Sequence, residues 1–228
     1  PGLGALTELL IESHSVIAVE LDRLFANRLK EKLGALIPHK LTVLERDILE
    51  CDLSKEPFSK KNIFVVGNLP YQISSQIIFW LLNNRKTVQG ALLMLQAEMA
   101  DRICAKPNTK SYAPMTILSN LVFTISKCFN VSPNVFYPKP KVKSTVISLT
   151  PRPLVGIRDA DLNSFGDFLK KCFHARRKTL INNLKALDFP FEKWPKVFEK
   201  EGIEQAVRAE ALSANQLLNL FHAVKMGQ

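Results

Sequence analysis

Apolar positions in the first two-thirds of the chain form two kinds of segment. Short segments rich in apolar residues predict buried strands at residues 16–20, 41–46, 63–67 and 91–95, and the first of them ends in an acid. Apolar residues also recur at helical spacing, as in residues 22–33, where Gly34 ends the pattern. Ser74 or Ser75 is expected to cap a further helix. Strands that alternate with helices predict a parallel α/β sheet covered on both faces.

The pattern changes near Pro151, Arg152 and Pro153, where two prolines around an arginine predict a linker. The segments beyond it are helical only. The predicted helices lie at residues 161–174, 176–186, 193–201 and 213–224. We therefore expect an α/β domain of residues 1–155 and a small all-helical domain of residues 156–228.

Composition excludes several classes of protein. Hydrophobic residues make up 46% of the 228 positions, enough for a core, and the longest apolar runs are far shorter than the ~20 residues of a membrane span. No signal peptide is expected at the start of the chain. The four cysteines are widely spaced and the four histidines show no ligand spacing, so neither a disulfide scaffold nor a metal site is expected. A cytoplasmic protein is predicted.

Charge is distributed unevenly along the chain. The formal net charge is +10, and residues 102–158 contain nine basic residues and no acidic one. Residues 168–187 contain six basic residues and again no acid. A solvated surface mixes both signs, so these stretches favour a polyanion such as nucleic acid over a surface that is merely kept soluble by charge.

Four features lie at the carboxyl ends of predicted strands or open a helix, where open α/β sheets bind ligands. Gly2 and Gly4 open the first helix. Glu20 ends a strand and can accept both hydroxyls of a ribose; Asp47, with the Ile48 N–H after it, can bind an adenine edge. The alternative for both acids is helix capping. The glycine loop lacks the full dinucleotide motif, so S-adenosylmethionine is the favoured ligand.

The fourth feature is Asn68-Leu69-Pro70-Tyr71, directly after a strand. Methylation of an exocyclic amine requires its lone pair to face the methyl donor. The Asn68 side-chain oxygen and the Leu69 carbonyl can each accept one N–H of that amine. Pro70 stiffens the turn, and Tyr71 offers a face on which an extruded base can stack. The alternative is an ordinary turn after a strand.

In this order and spacing, the segments PGLGALT, VIAVELD, ERDI and NLPY resemble the ribosomal RNA adenine dimethyltransferases of the KsgA and Erm types. Residues 136–144 are similar to the family's F-x-P-x-P-x-V-x-S motif, and residues 172–180 to a signature of the KsgA branch. The resemblance implies a Rossmann-like class I methyltransferase sheet with a helical C-terminal domain. It also implies a basic arm and a first strand before Pro1, which this chain does not contain.

The resemblance further implies transfer of methyl groups from S-adenosylmethionine to the N6 amines of two adjacent adenosines near the 3′ end of small-subunit ribosomal RNA. The products are dimethyladenosine and S-adenosylhomocysteine, without a metal. Asn68, Leu69, Pro70, Tyr71 and Phe136 are the expected catalytic residues, with Phe136 as the second wall of the base pocket. The cofactor residues are expected to be Gly2, Gly4, Glu20, Asp47, Ile48 and Asn68.

Two basic groups are expected to contact the RNA backbone: Lys139, Lys141 and Lys143, and Arg176, Arg177 and Lys178. The lysines alternate and would share one side if extended, and the second group has no acid nearby in sequence. The alternatives are a solvated strand face, a polar helix face and, for Phe136, a core aromatic. A monomer in contact with immature small subunits, and with no membrane, is expected.

Three other functions stay open. An Erm-type enzyme acting on large-subunit RNA would share the pocket, but residues 176–180 disfavour it. A DNA adenine methyltransferase would share the acceptor chemistry, and residues 136–144 disfavour that one. A non-catalytic assembly factor on the same scaffold is disfavoured by the intact Asn68, Tyr71 and Phe136, although a dual role as enzyme and assembly checkpoint stays open.

Overall fold

The computed structural model describes residues 1–37, 39–55, 57–58, 62–137, 139–185 and 187–226. Contacts within the chain divide it into two compact units, Pro1–Leu95 and Gln96–Gln228. This division rests on contacts within the chain and does not test the expected boundary between functional domains, so the domains of residues 1–155 and 156–228 stay a prediction. Within the described ranges, no helix is both long and apolar enough to cross a membrane.

The first unit alternates strands and helices, as the hydrophobic pattern predicts. Its elements are α1 (Ala5–Ile11), β1 (Val16–Glu20), α2 (Arg23–Leu33), β2 (Leu41–Glu45), β3 (Ile63–Asn68), α3 (Ser74–Asn83) and β4 (Val88–Gln96), whose last residue opens the second unit. Strand β1 pairs in parallel with β2, from Val16 opposite Leu41 to Glu20 opposite Glu45. Strand β3 pairs in parallel with β4, and Asn68 lies opposite Met94. The predicted parallel pairing is confirmed for these strands.

Helices α1 and α2 pack against the β1–β2 pair around a buried cluster of Ile11, Ala18, Leu29 and Leu41. Gly4 precedes α1 with φ 87°, and a Cβ built there would lie 2.5 Å from the Leu29 Cδ1 atom. Glycine is therefore needed at this position for both its backbone conformation and the close approach of α2.

Element ends in the first unit differ from the expectations at several positions, and β4 runs from Val88 to Gln96 rather than from 91 to 95. Strand β2 ends at Glu45, before Arg46, and β3 continues to Asn68. Gly34 ends α2, but the chain continues as a 3-10 turn, Gly34–Leu36. The expected serine cap of α3 is wrong, because a 3-10 turn, Tyr71–Ile73, precedes the helix and the Ser74 hydroxyl donates to the Pro70 carbonyl (3.2 Å).

The second unit combines one antiparallel strand pair with helices. Its elements are α4 (Ala97–Ile103), α5 (Pro114–Val122), β5 (Phe123–Val131), β6 (Ser144–Pro151), α6 (Leu162–Cys172), α7 (Leu180–Leu184), α8 (Trp194–Lys200) and α9 (Ala214–Met226). Strands β5 and β6 pair from Phe123 opposite Pro151 to Val131 opposite Ser144. Helices α6 and α9 bring together the rings of Phe165, Phe168 and Phe221, whose centroids lie 5.3–6.2 Å apart.

Two expectations in the second unit need correction at particular residues. A linker is expected near Pro151, Arg152 and Pro153, but Pro151 is still the last residue of β6, and the Arg152 N–H donates to the Val122 carbonyl (2.9 Å). The helix expected at residues 176–186 is only α7, five residues long, and residues 173–179 form a loop. Ala186, the expected end of that helix, lies outside the described residues.

Candidate functional site

The glycine turn at the start of the chain is attached to the end of β1. Gly2 and Gly4 have φ angles of 54° and 87°, a region that glycine adopts at little cost. The Gly2 N–H donates to the Glu20 Oε2 atom at 2.9 Å, and the Asp22 N–H donates to the Glu20 Oε1 atom at 3.0 Å. Two residues chosen from the sequence as ligand contacts, Gly2 and Glu20, are therefore in direct contact with each other.

The surroundings of Glu20 favour the ionised form of its carboxylate, which accepts hydrogen bonds. Partial burial acts to raise its pKa, but the N–H groups of Asp22 and Gly2, together with the positive charge of the Pro1 amino group, outweigh that effect and hold the pKa below its ordinary value of 4.5. Each carboxylate oxygen accepts one backbone N–H, and Oε2 also lies 3.4 Å from the Pro1 amino nitrogen. A carboxylate at the end of a strand can accept the hydroxyls of a ribose, so the residues present fit a nucleoside ligand such as S-adenosylmethionine.

Asp47 and Ile48 lie at the same sheet edge as Glu20. The N–H of Arg46 donates to the Glu20 carbonyl (2.9 Å), which fixes the chain just before Asp47. The Asp47 Oδ1 atom accepts from the Leu49 N–H (2.9 Å), so the capping interpretation is correct for that oxygen. Among the described residues, no donor contacts the other oxygen of Asp47, Oδ2, and no acceptor contacts the Ile48 N–H. An adenine edge could use both.

Asn68, Leu69, Pro70 and Tyr71 form a fixed turn at the carboxyl end of β3. The Leu69 N–H donates to the Met94 carbonyl of β4 at 3.1 Å, and the Leu69 side chain is buried. Gly67 makes this burial feasible, since a Cβ there would lie 2.9 Å from the Leu69 Cδ2 atom. Asn68 is exposed, and in the described part of the chain neither its amide nor the Leu69 carbonyl accepts a hydrogen bond. Two acceptors therefore follow one another at a strand end.

Helix α3 connects this turn to the segment after Asp47. It packs against the 3-10 turn Ile48–Glu50, and the Trp80 Nε1–H donates to the Cys51 carbonyl at 2.7 Å in a buried hydrogen bond. Tyr71 is half-buried in the 3-10 turn that leads into α3. The helix thus fixes the position of the Asp47 loop relative to the turn that contains Asn68.

The remaining expected site residues lie in the second unit, on two loops. Phe136 lies in the loop that joins β5 to β6, and its side chain is half-buried. Its role as a wall of the base pocket stays a prediction. Lys139, Lys141 and Lys143 follow it, all exposed and outside any strand. Pro138, from the same motif, lies outside the described residues.

Arg176, Arg177 and Lys178 are exposed in the loop of residues 173–179, which joins α6 to α7. The expectation that this group lacks an acidic partner is wrong for Arg176, because its guanidinium pairs with the Glu210 carboxylate at 2.6 and 3.2 Å. The partner comes from a segment 34 positions away, which sequence proximity does not reveal. Among the residues that the structure covers, Arg177 and Lys178 have no acidic partner.

The loop of residues 173–179 depends on a residue that the sequence analysis did not select. Asn183 is 7% exposed; its Nδ2 donates to the carbonyls of Cys172 (2.9 Å) and Ala175 (3.2 Å). Its Oδ1 accepts from the Ala175 N–H (3.2 Å). A buried amide that bonds the last residue of α6 and both backbone groups of Ala175 fixes the loop, and the sequence offered no signal for it beyond an asparagine at an apolar helix position.

Other basic residues of the acid-free stretches also have acidic partners from outside those stretches. Lys127 pairs with Asp101, Arg158 with Asp161, and Lys170 with Asp167. No group of three or more His, Cys, Asp or Glu side chains placed to hold a metal occurs in the ranges described. Fewer basic residues therefore lack an acidic partner than the sequence indicates. Those that lack one among the described residues include Lys139, Lys141 and Lys143 in the loop after Phe136, and Arg177 and Lys178 in the loop of residues 173–179.

Two curated proteins named ribosomal RNA small subunit methyltransferase A are similar over nearly the whole chain. The one from Syntrophus aciditrophicus is 39% identical over 98% of this chain and 81% of its own length. The one from Acidobacterium capsulatum is 35% identical over 99% and 79%, respectively.

A solved structure and a family model complete the comparison. The crystal structure of a dimethyladenosine transferase from Plasmodium falciparum has a TM-score of 0.82 and 27% identity, covering 99% of this chain and 88% of the other. The expected Rossmann-like class I methyltransferase fold with a helical portion is confirmed. The expected use of S-adenosylmethionine as the methyl donor is confirmed as well. The family model described as ribosomal RNA adenine dimethylase matches residues 1–225. The chain belongs to the ribosomal RNA adenine dimethylase family.

Proposed function

We propose that this protein dimethylates the N6 amines of two adjacent adenosines near the 3′ end of small-subunit ribosomal RNA during small-subunit biogenesis. The observation that carries the proposal is the turn after β3, where Asn68 and the Leu69 carbonyl are adjacent acceptors held by a buried leucine. The similarity to proteins named small subunit methyltransferase A supports the choice of RNA.

Methyl transfer requires that the adenine N6 amine is held in place with its lone pair directed at the methyl donor. One N–H of the adenine N6 amine donates to the Asn68 Oδ1 atom and the other to the Leu69 carbonyl, which favours a pyramidal nitrogen whose lone pair is less delocalised into the ring and faces the methyl donor. Both acceptors also stabilise the positive charge that grows on nitrogen. When bound at this sheet edge, S-adenosylmethionine supplies an electrophilic methyl group for direct displacement, which needs neither a metal nor a covalent intermediate.

Two aromatic residues are proposed to hold the adenine once it has left the RNA stack. Tyr71 is half-buried and follows Pro70, whose carbonyl accepts from the Ile73 N–H (3.2 Å) and keeps the turn compact. We assign Tyr71 and Phe136 to the two faces of the extruded adenine, where stacking on an aromatic ring is worth ~1–3 kcal/mol. The ring of an adenine held in this way cannot rotate away from Asn68.

The cofactor residues in this proposal are Gly2, Gly4, Glu20, Asp47 and Ile48, with Asn68 at the reacting end. Glu20 holds the ribose, and Asp47 with the Ile48 N–H holds the adenine of the cofactor. The exposed lysines after Phe136, together with Arg177 and Lys178, contact RNA phosphates. A monomer that works in the cytoplasm on immature small subunits completes the proposal.

The test uses isolated ribosomal subunits that lack the modification. Purified protein and labelled S-adenosylmethionine are incubated with small and with large subunits, and the RNA is digested to nucleosides. Dimethyladenosine in small-subunit RNA alone is the expected result. Label in large-subunit RNA alone would support an Erm-type specificity and contradict the proposal.

A further inference from the structure

The loop between β5 and β6 combines exposed apolar and basic side chains. Strands β5 and β6 close it with the pair Val131 and Ser144, so residues 132–143 form the connection, which we call the hairpin loop. Its last residue is held, because the Lys143 carbonyl accepts from the Ala97 N–H at 2.9 Å. A 3-10 turn, Pro133–Val135, capped by the Ser132 hydroxyl, holds its first part.

Two consecutive aromatic residues in the hairpin loop differ in exposure. Phe136 is half-buried with φ −107° and ψ 146°, while Tyr137 is fully exposed, at 102%. The proposed function assigns Phe136 to one face of the target adenine, so the fully exposed Tyr137 ring remains available for another partner.

Charge around Tyr137 identifies the kind of partner. Lys139, Lys141 and Lys143 are exposed, and within the described residues none of them has an ion-pair partner. No acidic residue occurs anywhere between residues 102 and 158. An exposed aromatic ring beside unpaired cations matches a single-stranded nucleic acid, whose bases present π-faces and whose phosphates present negative charge.

We propose that Tyr137 is a second stacking platform, which holds the base of a nucleotide next to the target adenosine while the three lysines hold the phosphates. This inference rests on the proposed function, since the bound strand is the RNA substrate. Its consequence is that the enzyme reads single-stranded character beyond the target base, because a base inside a duplex cannot stack on Tyr137.

The experiment measures binding separately from methylation. The probe is a single-stranded RNA oligonucleotide with 2-aminopurine next to an adenosine, whose fluorescence falls when the analogue stacks. The wild-type protein should quench this fluorescence. Tyr137→Ala should abolish the quenching and weaken binding by about 5- to 150-fold, the range for loss of one stacked base. Tyr137→Phe should behave as wild type, because it keeps the ring.

Salt dependence separates stacking from charge. The affinity lost in Tyr137→Ala should be the same at every salt concentration, whereas replacing Lys139, Lys141 and Lys143 by alanine should reduce the slope of log K against log[salt]. Phe79→Ala is the matched control. It removes an exposed ring from α3, which carries no charged residue, and should leave binding and quenching unchanged.

Wild-type affinity and quenching in Tyr137→Ala would overturn the inference, and so would equal losses in Tyr137→Ala and Tyr137→Phe. Failure of the proposed function gives a different result. The wild-type protein would then bind and quench the probe through Tyr137 but transfer no methyl group to small-subunit adenosines. That outcome supports a stacking surface while contradicting the assigned reaction.

Discussion

Asn68 carries the chemical part of the proposed reaction, since its amide is the side-chain acceptor at the end of β3. Asn68→Ala removes one of the two acceptors for the reacting amine and leaves the backbone of the turn in place. We expect single-turnover methyl transfer to fall by at least tenfold, with RNA affinity changed less than twofold, because the contact is made to the reacting group. Rapid-quench methylation and filter binding measure the two quantities. A variant with the wild-type transfer rate would reject the role.

Glu20 is the residue on which cofactor affinity should depend most. Glu20→Ala removes the paired acceptor for the ribose and the anchor of the Gly2 N–H, so we expect a loss of ~1–3 kcal/mol in S-adenosylmethionine binding. Titration calorimetry measures it. Glu45→Ala is the matched control, because Glu45 lies opposite Glu20 in the β1–β2 register but is exposed. Equal affinity in the two variants would contradict the ribose assignment.

At the scale of single residues, the sequence predicted which positions end strands but not all of their partners. Glu20 and Asp47 could be selected because a short apolar run ends just before an acid. The Arg176–Glu210 pair could not, because its two members are brought together by the folded helical segments. A local charge pattern records which residues are charged; whether each charge is compensated depends on tertiary contacts.

At the scale of elements, the loop of residues 173–179 is the part most sensitive to one buried side chain. Asn183→Ala would remove its three hydrogen bonds and leave the Cys172 carbonyl and the Ala175 N–H without these partners, while the Ala175 carbonyl still accepts from the Lys178 N–H (2.9 Å). We expect a loss of ~1–3 kcal/mol in the free energy of unfolding and weaker binding to small subunits. Urea denaturation and subunit binding measure these effects. Asn182→Ala, on the neighbouring residue, should change both quantities little, whereas a loss as large as that in Asn183→Ala would contradict the assignment.

A second element-scale prediction concerns the contact between α9 and the segment before α6. Hydrogen bonds from Arg158 and then Lys225 hold the pKa of Asp161 at about 2, against an ordinary value of 3.8. Because the folded-state pKa is the lower one, the stabilisation is complete above about pH 4 and is lost as the pH falls towards 2. Asp161→Asn should therefore flatten the acid side of the stability profile.

Thermal melting between pH 2 and pH 6 tests this expectation. Asp188→Asn, at an exposed acid in the same unit, is the control and should retain the wild-type profile. If the melting temperature of Asp161→Asn falls with decreasing pH as in the wild type, the contact of Asp161 with Arg158 and Lys225 does not contribute to the pH dependence of stability.

The elements that the sequence missed share a physical cause. Strand β5 is largely exposed, with Lys127 and Cys128 on it, so it lacks the apolar run by which buried strands are recognised. Helix α7 begins at Leu180 rather than at Arg176 because Asn183 and the Val207 carbonyl, which accepts from the Leu180 N–H (2.7 Å), hold the preceding chain in a loop. In both cases the deciding feature, which is solvent exposure in β5 and hydrogen bonding to the loop before α7, is absent from the hydrophobic periodicity.

At the scale of the whole molecule, the excess positive charge should appear as salt-dependent binding to ribosomal subunits. Arg177 and Lys178 are exposed without acidic partners in the described part of the chain, so replacing both by alanine should reduce the slope of log K against log[salt] by up to ~0.7–0.9 for each phosphate contact. Binding of S-adenosylmethionine should be unchanged. Subunit affinity at several salt concentrations measures the slope.

Two controls identify the origin of that effect. Replacing Lys196 and Lys200 of α8 removes the same charge from a helix that also carries Glu199, and it should leave the slope near the wild-type value. A melting curve shows whether each variant remains folded. An equal change of slope in both pairs would mean that net charge, rather than the loop of residues 173–179, determines binding.

The measurement that tests the central claim most directly is mass spectrometry of ribosomal RNA from cells that lack the gene. The account predicts that two adjacent dimethyladenosines near the 3′ end of small-subunit RNA become unmethylated. It also predicts that the wild-type gene restores them and that a gene encoding Asn68→Ala does not. Unchanged dimethyladenosine in the small subunit, or its loss only from large-subunit RNA, would contradict the account.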